Sequence, residues 1–185
     1  MLTSLPNLLT LSRIGAIPVV LLFLYLNTPW ARWLALVLFV LAGLTDFLDG
    51  YLARNWGQVS AIGRFLDPIA DKLLVAAVIL LLVAVGAITG PVLLPALVIL
   101  CREIMVSGLR EYLAEIQVPL PVSNLAKWKT VIQMLALGFL IVGHDGPVVP
   151  SFQMIGEVGL WIAACLTLVT GYDYLKRGLK HMLKP

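Results

Sequence analysis

The stretch from Gly63 to Val85 reads GRFLDPIADKLLVAAVILLLVAV. Its length suits a bilayer crossing, which takes about 20 mostly apolar residues as a helix. It lacks the apolar/polar alternation of a membrane barrel strand, so a helix is predicted. The first turns are different, because Arg64, Asp67, Asp71 and Lys72 all precede the uninterrupted apolar run. An apolar helix that opens on carboxylates needs two explanations, one for the span and one for the acids.

The span is explained by five more like it. Further runs cover Leu8 to Leu26, Trp33 to Tyr51, Val92 to Leu113, Leu125 to Val142 and Phe152 to Leu175. Breaks fall at Asn27-Thr28-Pro29, at Gly86 to Pro91, at Val118 to Ser123 with its two prolines, and at Gly143 to Pro150. These are turn formers at the intervals of a short-looped helical bundle. Over all 185 residues, 61% are apolar and 12% charged, with a mean hydropathy of +0.99. Soluble chains are about 45–50% apolar and about 25% charged, so neither a soluble domain nor disorder fits. The reading is an all-α, polytopic membrane protein: one domain, residues 1–185, built as a six-helix transmembrane bundle.

Two cysteines, Cys101 and Cys165, fall inside apolar runs and read as small buried side chains rather than a disulfide or metal pair. The first run carries Arg13 and Pro18 and has no small-residue cleavage site after it, so it is expected to remain as the first span. The net charge of +3 is too small to mark a nucleic-acid binder.

The placement of the positive charges orients the bundle. With six spans and the N-terminus inside, twelve of the thirteen Lys and Arg residues fall on the inner side, and Arg32 alone on the outer. That asymmetry predicts cytoplasmic termini in the cell's inner membrane. The tail with Lys176, Arg177 and Lys180 reads as a basic anchor against anionic headgroups.

Four of the ten acids, Asp46, Asp49, Asp67 and Asp71, lie at the inner ends of the second and third spans. Ionisable groups at membrane depth are costly and mark function by default. The plainer alternative, helix-end pairs with Arg54, Arg64 and Lys72, suits one or two acids better than four. Asp46 and Asp49 are i,i+3, and Asp67 and Asp71 are i,i+4, so each pair shares a helix face. A short connection with Gly57 and Gly63 folds the two pairs together. Crowded carboxylates call for hard divalent cations, Mg²⁺ or Mn²⁺ rather than zinc. Four of them can bridge two ions, an arrangement suited to phosphoryl or pyrophosphate chemistry. Gly50 leaves room for a ligand at the backbone, and Arg54, one turn on, can offer a guanidinium fork to phosphate oxygens.

The pattern Asp46-x2-Asp49-Gly50-x2-Ala53-Arg54-x8-Gly63-x3-Asp67-x3-Asp71 resembles, at all eight fixed positions, the signature of the CDP-alcohol phosphotransferases. The resemblance implies a six-helix membrane fold, usually a homodimer, and two Mg²⁺ or Mn²⁺ ions. The implied reaction transfers a phosphatidyl group from a CDP-activated lipid to an alcohol, with CMP released. Asp46, Asp49 and Asp67 are then the main metal ligands, with Asp71 both a ligand and the base that takes the hydroxyl proton. The stretch Asn7-x-Leu9-Thr10-x2-Arg13 resembles a family segment that helps hold the nucleotide. Asn7, Thr10, Arg13, Gly50, Arg54, Ser60 and Gly63 are the implied contacts to CDP-diacylglycerol.

Two later stretches, Arg102 to Glu111 and Lys127 to Met134, are similar to the bacterial phosphatidylglycerophosphate synthases, whose acceptor is glycerol 3-phosphate. Arg102, Arg110, Lys127 and Lys129 all lie towards the inner side of the fourth and fifth spans. Together they form a cationic pocket that a neutral acceptor would not need. Alternatives remain open at this point. Arg102 can be half of a buried ion pair, and Lys127 and Lys129 can be ordinary anchors. The acceptor can be serine, an inositol phosphate or a second phosphatidylglycerol. A cation or proton-coupled transporter is the reading from another class. It fits less well, because transporter sites favour the membrane midplane between repeats and no internal repeat is visible.

Overall fold

The structure, a computed structural model, describes residues 5–56, 61–118, 123–143 and 150–182. Within these, the side chains of residues 5–7, 46–56, 61–65, 67, 68, 150, 151 and 181 lie outside the described set. Six helices follow in order: α1 (Leu5–Leu26), α2 (Pro29–Trp56), α3 (Ala61–Ala84), α4 (Leu93–Glu115), α5 (Asn124–Gly143) and α6 (Pro150–Met182). Every helix contains the span expected of it, except that the first residue of the fourth span, Val92, belongs to a short 3-10 turn and Val85 follows α3 directly. The chain is an all-helical, polytopic membrane protein. Among the described residues, four segments are long and apolar enough to cross a bilayer, Leu8–Leu26, Gly90–Glu115, Asn124–Gly143 and Phe152–Lys180, and Pro29–Thr45 adds a shorter apolar helix.

The helix boundaries follow from the turn residues. Pro29 and Pro150 open α2 and α6, where the missing N–H costs nothing and the fixed φ suits the helix. Between α1 and α2, Asn27 adopts φ 53°, a left-handed conformation that Asn tolerates better than most residues. Between α3 and α4, Gly86 sits at φ 78° and the N–H groups of Ala87 and Ile88 both bond to the Leu82 carbonyl. The 3-10 turn Gly90–Val92 then leads into α4. The Ser123 hydroxyl accepts the Ala126 N–H at 3.2 Å and starts α5.

Packed pairs close a ring in the order α1, α2, α5, α6, α4, α3 and back to α1. Inside the ring, Val20, Leu24, Phe39, Val78, Leu82, Ile99, Leu137, Leu140 and Leu160 form one continuous core. A smaller cluster, Val106, Leu109, Leu113 and Tyr174, lies nearer the C-terminal ends of α4 and α6. Small residues set the tightest contact. A Cβ on Gly159 would stand 2.9 Å from the Ala136 side chain, so α5 and α6 approach at glycine, as membrane helices without a hydrophobic drive between them often do.

Large apolar side chains also cover much of the outside. Leu22, Val37, Leu80, Leu97, Leu135 and Leu168 are exposed, which suits lipid and not water. Tyr25, Trp30 and Trp33 stand exposed around the α1–α2 turn, and Tyr112 and Trp128 near the end of α4 and the start of α5. These are the positions of interfacial aromatic belts. The cysteines correct the sequence reading: Cys101 and Cys165 are free, as expected, but exposed rather than buried. In a membrane span an apolar run borders lipid as well as core, so hydropathy alone does not say which way a side chain faces. Lys176, Arg177 and Lys180 continue α6. At 33 residues that helix is about 50 Å long, more than the hydrocarbon thickness.

Candidate active site

Towards the end of the bundle where α4 ends and α5 begins, the apolar core gives way to a cavity of about 360 Å³ between α3, α4, α5 and α6. The volume falls in the ordinary range for small-ligand pockets. α4 supplies most of the wall. Glu103, Ser107, Arg110, Glu111 and Ala114 recur three or four residues apart and so share one face, with Arg102 and Val106 beside them. α3 contributes Asp71 and Lys72, α5 contributes Ala126, Lys129 and Thr130, and α6 contributes Tyr174.

Arg102 is anchored across to α6. Its Nη2 donates to the Thr170 hydroxyl at 3.0 Å, and its guanidinium carbon lies 5.7 Å from the centre of the Tyr174 ring. Thr170 in turn donates back to the Leu166 carbonyl at 2.8 Å. Gly171 is what lets the two helices meet here, because a Cβ would stand 3.1 Å from the Arg102 side chain. The Nη1 group points to Glu103 at 3.4 Å, and the buried Nε has no partner among the described residues. Lys129, only 3% exposed, forms an ion pair with the Glu103 carboxylate. The cavity therefore holds four basic side chains (Lys72, Arg102, Arg110 and Lys129) against three acids (Asp71, Glu103 and Glu111).

Of the residues expected at the acceptor, Arg102, Arg110 and Lys129 line one wall system with Asp71, and Lys127 does not. Lys127 is exposed at the start of α5. Of the residues expected at the nucleotide, Thr10 and Arg13 are both buried, one turn apart on the face α1 turns into the bundle. The side chains of Asn7, Gly50, Arg54 and Gly63 lie outside the described residues, and Ser60 does so entirely. The same holds for the side chains of Asp46, Asp49 and Asp67. Their backbone positions are described. Asp46 and Asp49 stand in the second half of α2, and Asp67 and Asp71 in the first half of α3, joined by only residues 57–60. A donor set of four carboxylates without His or Cys on neighbouring helix ends fits a hard divalent cation. Among the described residues alone, no group of three or more possible ligands converges.

Lys72, Glu103, Ser107, Glu111, Thr130, Thr170 and Tyr174 were not among the expected site residues. A weak signal existed for two of them. Thr170 and Tyr174 are polar and four apart within an otherwise apolar span, a stripe that a lipid-facing surface does not need.

Residues 3–169 match the family described as CDP-alcohol phosphatidyltransferase. The chain belongs to the CDP-alcohol phosphatidyltransferase family. Among its relatives is the CDP-diacylglycerol–glycerol-3-phosphate 3-phosphatidyltransferase of Rickettsia bellii, 51% identical over 96% of this chain and 97% of that protein. A protein of the same name from Cereibacter sphaeroides is 39% identical over 97% of each chain. The corresponding Arabidopsis thaliana protein, numbered 2, is 36% identical over 98% of this chain and 82% of its own length. Membership puts the expected signature, Asp46 to Asp71, well within the matched region.

Proposed function

We propose that this family member transfers the phosphatidyl group of CDP-diacylglycerol to glycerol 3-phosphate, giving phosphatidylglycerophosphate and CMP. The observation that carries the acceptor is the cavity itself: Asp71 shares it with Arg102, Arg110 and Lys129. The names of the relatives agree with that reading.

In this reading Asp46, Asp49, Asp67 and Asp71 hold two Mg²⁺ or Mn²⁺ ions, which when bound offset the charge of the pyrophosphate and of the departing CMP. Thr10, Arg13 and Arg54 hold the nucleotide end of the donor, with Asn7, Gly50, Ser60 and Gly63 shaping the same pocket. Lys129, Arg110 and Arg102 receive the acceptor's phosphate, which carries about −1.5 to −2 charge at neutral pH. Without them, a dianion would be repelled by the donor's pyrophosphate. With its phosphate held there, the acceptor presents a hydroxyl towards Asp71. Its oxygen bonds to the phosphatidyl phosphorus as the bond to CMP breaks, and Asp71 takes the proton. The cavity end faces the cytoplasm, as the bias of basic residues supports, and the enzyme works as a homodimer in the inner membrane.

The test is an acceptor screen. Purified protein with CDP-diacylglycerol and a divalent cation is offered glycerol 3-phosphate, glycerol, serine and inositol phosphate, and the lipid products are weighed by mass spectrometry. Phosphatidylglycerophosphate as the dominant product supports the proposal. Preference for a neutral alcohol or for serine overturns the acceptor, and no CMP release with any of them overturns the transferase.

A further inference from the structure

Glu103 is out of place in a pocket for a phosphate ester. A carboxylate on the wall repels the dianion that the cationic residues attract, so its presence needs a reason. Its contacts supply one. One carboxylate oxygen, Oε1, serves both Lys129 Nζ and Arg102 Nη1. The two cations differ in how much they depend on it. Arg102 has the Thr170 hydroxyl and the Tyr174 ring as well, and its contact to Glu103 is loose at 3.4 Å. Lys129 rises from α5, is almost wholly buried, and among the described residues has Glu103 as its ion-pair partner. An ammonium buried in a membrane-spanning helix without a counter-charge is strongly disfavoured.

We infer that Glu103 is a positioning residue for the acceptor: it holds the Lys129 ammonium at the cavity wall before the acceptor arrives, and acts on acceptor binding through Lys129. An ammonium has three donors, so the bond to Glu103 leaves two for the incoming phosphate. Ordering Lys129 in advance removes the cost of freezing a long side chain at the moment of binding. The inference rests on the acceptor reading above.

The test is a double-mutant cycle on the purified full-length protein in detergent with CDP-diacylglycerol, glycerol 3-phosphate and Mg²⁺. Glu103→Gln is expected to raise the KM for glycerol 3-phosphate about tenfold, one charged hydrogen bond's effect. The KM for CDP-diacylglycerol should stay within about twofold. Glu103→Asp keeps the charge at a shorter reach and should raise the acceptor KM only about threefold. In a Lys129→Gln background neither change should add further loss, because its route of action is gone. Losses that add to those of Lys129→Gln overturn the inference, as does a fall in the acceptor KM on removing the carboxylate. An equal rise in both KM values points to general damage and overturns it too. Should Glu103→Gln fail to fold, Glu103→Asp with and without Lys129 carries the same comparison. An unmutated enzyme that releases no CMP with glycerol 3-phosphate overturns the acceptor reading and this inference together. An active one with additive losses overturns the inference alone.

Discussion

Arg32 and Arg102 are both buried within the helical bundle, towards opposite ends of it, and their surroundings differ in a way that burial alone does not reveal. Arg32, 1% exposed, stands in the first turn of α2. Its Nε and Nη2 both donate to the Asn27 side-chain oxygen, and Nη1 donates to the Ile141 carbonyl at 3.1 Å. All three nitrogens are engaged, and they tie the α1–α2 turn to the last turn of α5. Arg102, 8% exposed, has a loose contact on Nη1, one good bond on Nη2 and none on Nε, and it borders a cavity. Arg32 is a closed staple. Arg102 keeps bonding capacity in reserve. Reserve capacity beside a cavity, rather than a buried charge as such, is what marks a binding site in a membrane protein.

The largest effects should come from the acids. Asp71→Asn is expected to lower the rate of CMP release by about 10²–10⁴-fold, the usual contribution of a proton-transfer group, with the protein still inserted and monodisperse. A rate within threefold of the unmutated enzyme's would remove Asp71 from the chemistry. Chelation of divalent cations should be as severe, and adding back Mg²⁺ or Mn²⁺ should restore turnover. Full activity in excess chelator would contradict the metal reading. The next tier belongs to the cavity's cations. Lys129→Gln should raise the KM for glycerol 3-phosphate about ten- to a hundredfold, the worth of a charged hydrogen bond at about 1.4 kcal/mol per decade. Lys127→Gln should be the mildest, because that side chain is exposed and does not line the cavity. A shift in acceptor KM of less than about threefold is expected, as for a surface anchor. A larger effect from Lys127 than from Lys129 would mean that the acceptor binds outside this cavity.

That pair of lysines shows where the sequence stops being legible. Two residues apart on a helix means about 200° around its axis, so only one of them can face a given partner. Nothing in the spacing says which, since the neighbouring α4 and α6 decide it. The spans were easier to read, because the same residues that break hydropathy (Pro29, Gly86, Pro91 and Pro150) also set the helix ends in the structure. Cys101 and Cys165 were misread for the reason Lys127 was left open: in lipid, the outer face of a helix is as apolar as the inner. The cavity's cationic side was foreseen as a list of charges. Its anchoring by Thr170 and Tyr174 depends on contacts between positions 68 and 72 residues apart, which no local pattern encodes.

The most direct measurement sets the two arginines side by side. Arg32→Gln and Arg102→Gln are purified, and each is scored for thermal midpoint and for the KM of glycerol 3-phosphate. Arg32→Gln leaves the Ile141 carbonyl and the Asn27 side chain without their donor, so it should cost about 1–3 kcal/mol of stability with the KM within twofold. Arg102→Gln should raise that KM about tenfold or more. A rise in the acceptor KM for Arg32→Gln as large as that for Arg102→Gln would contradict the account, because the closed staple would then matter to binding as much as the open one.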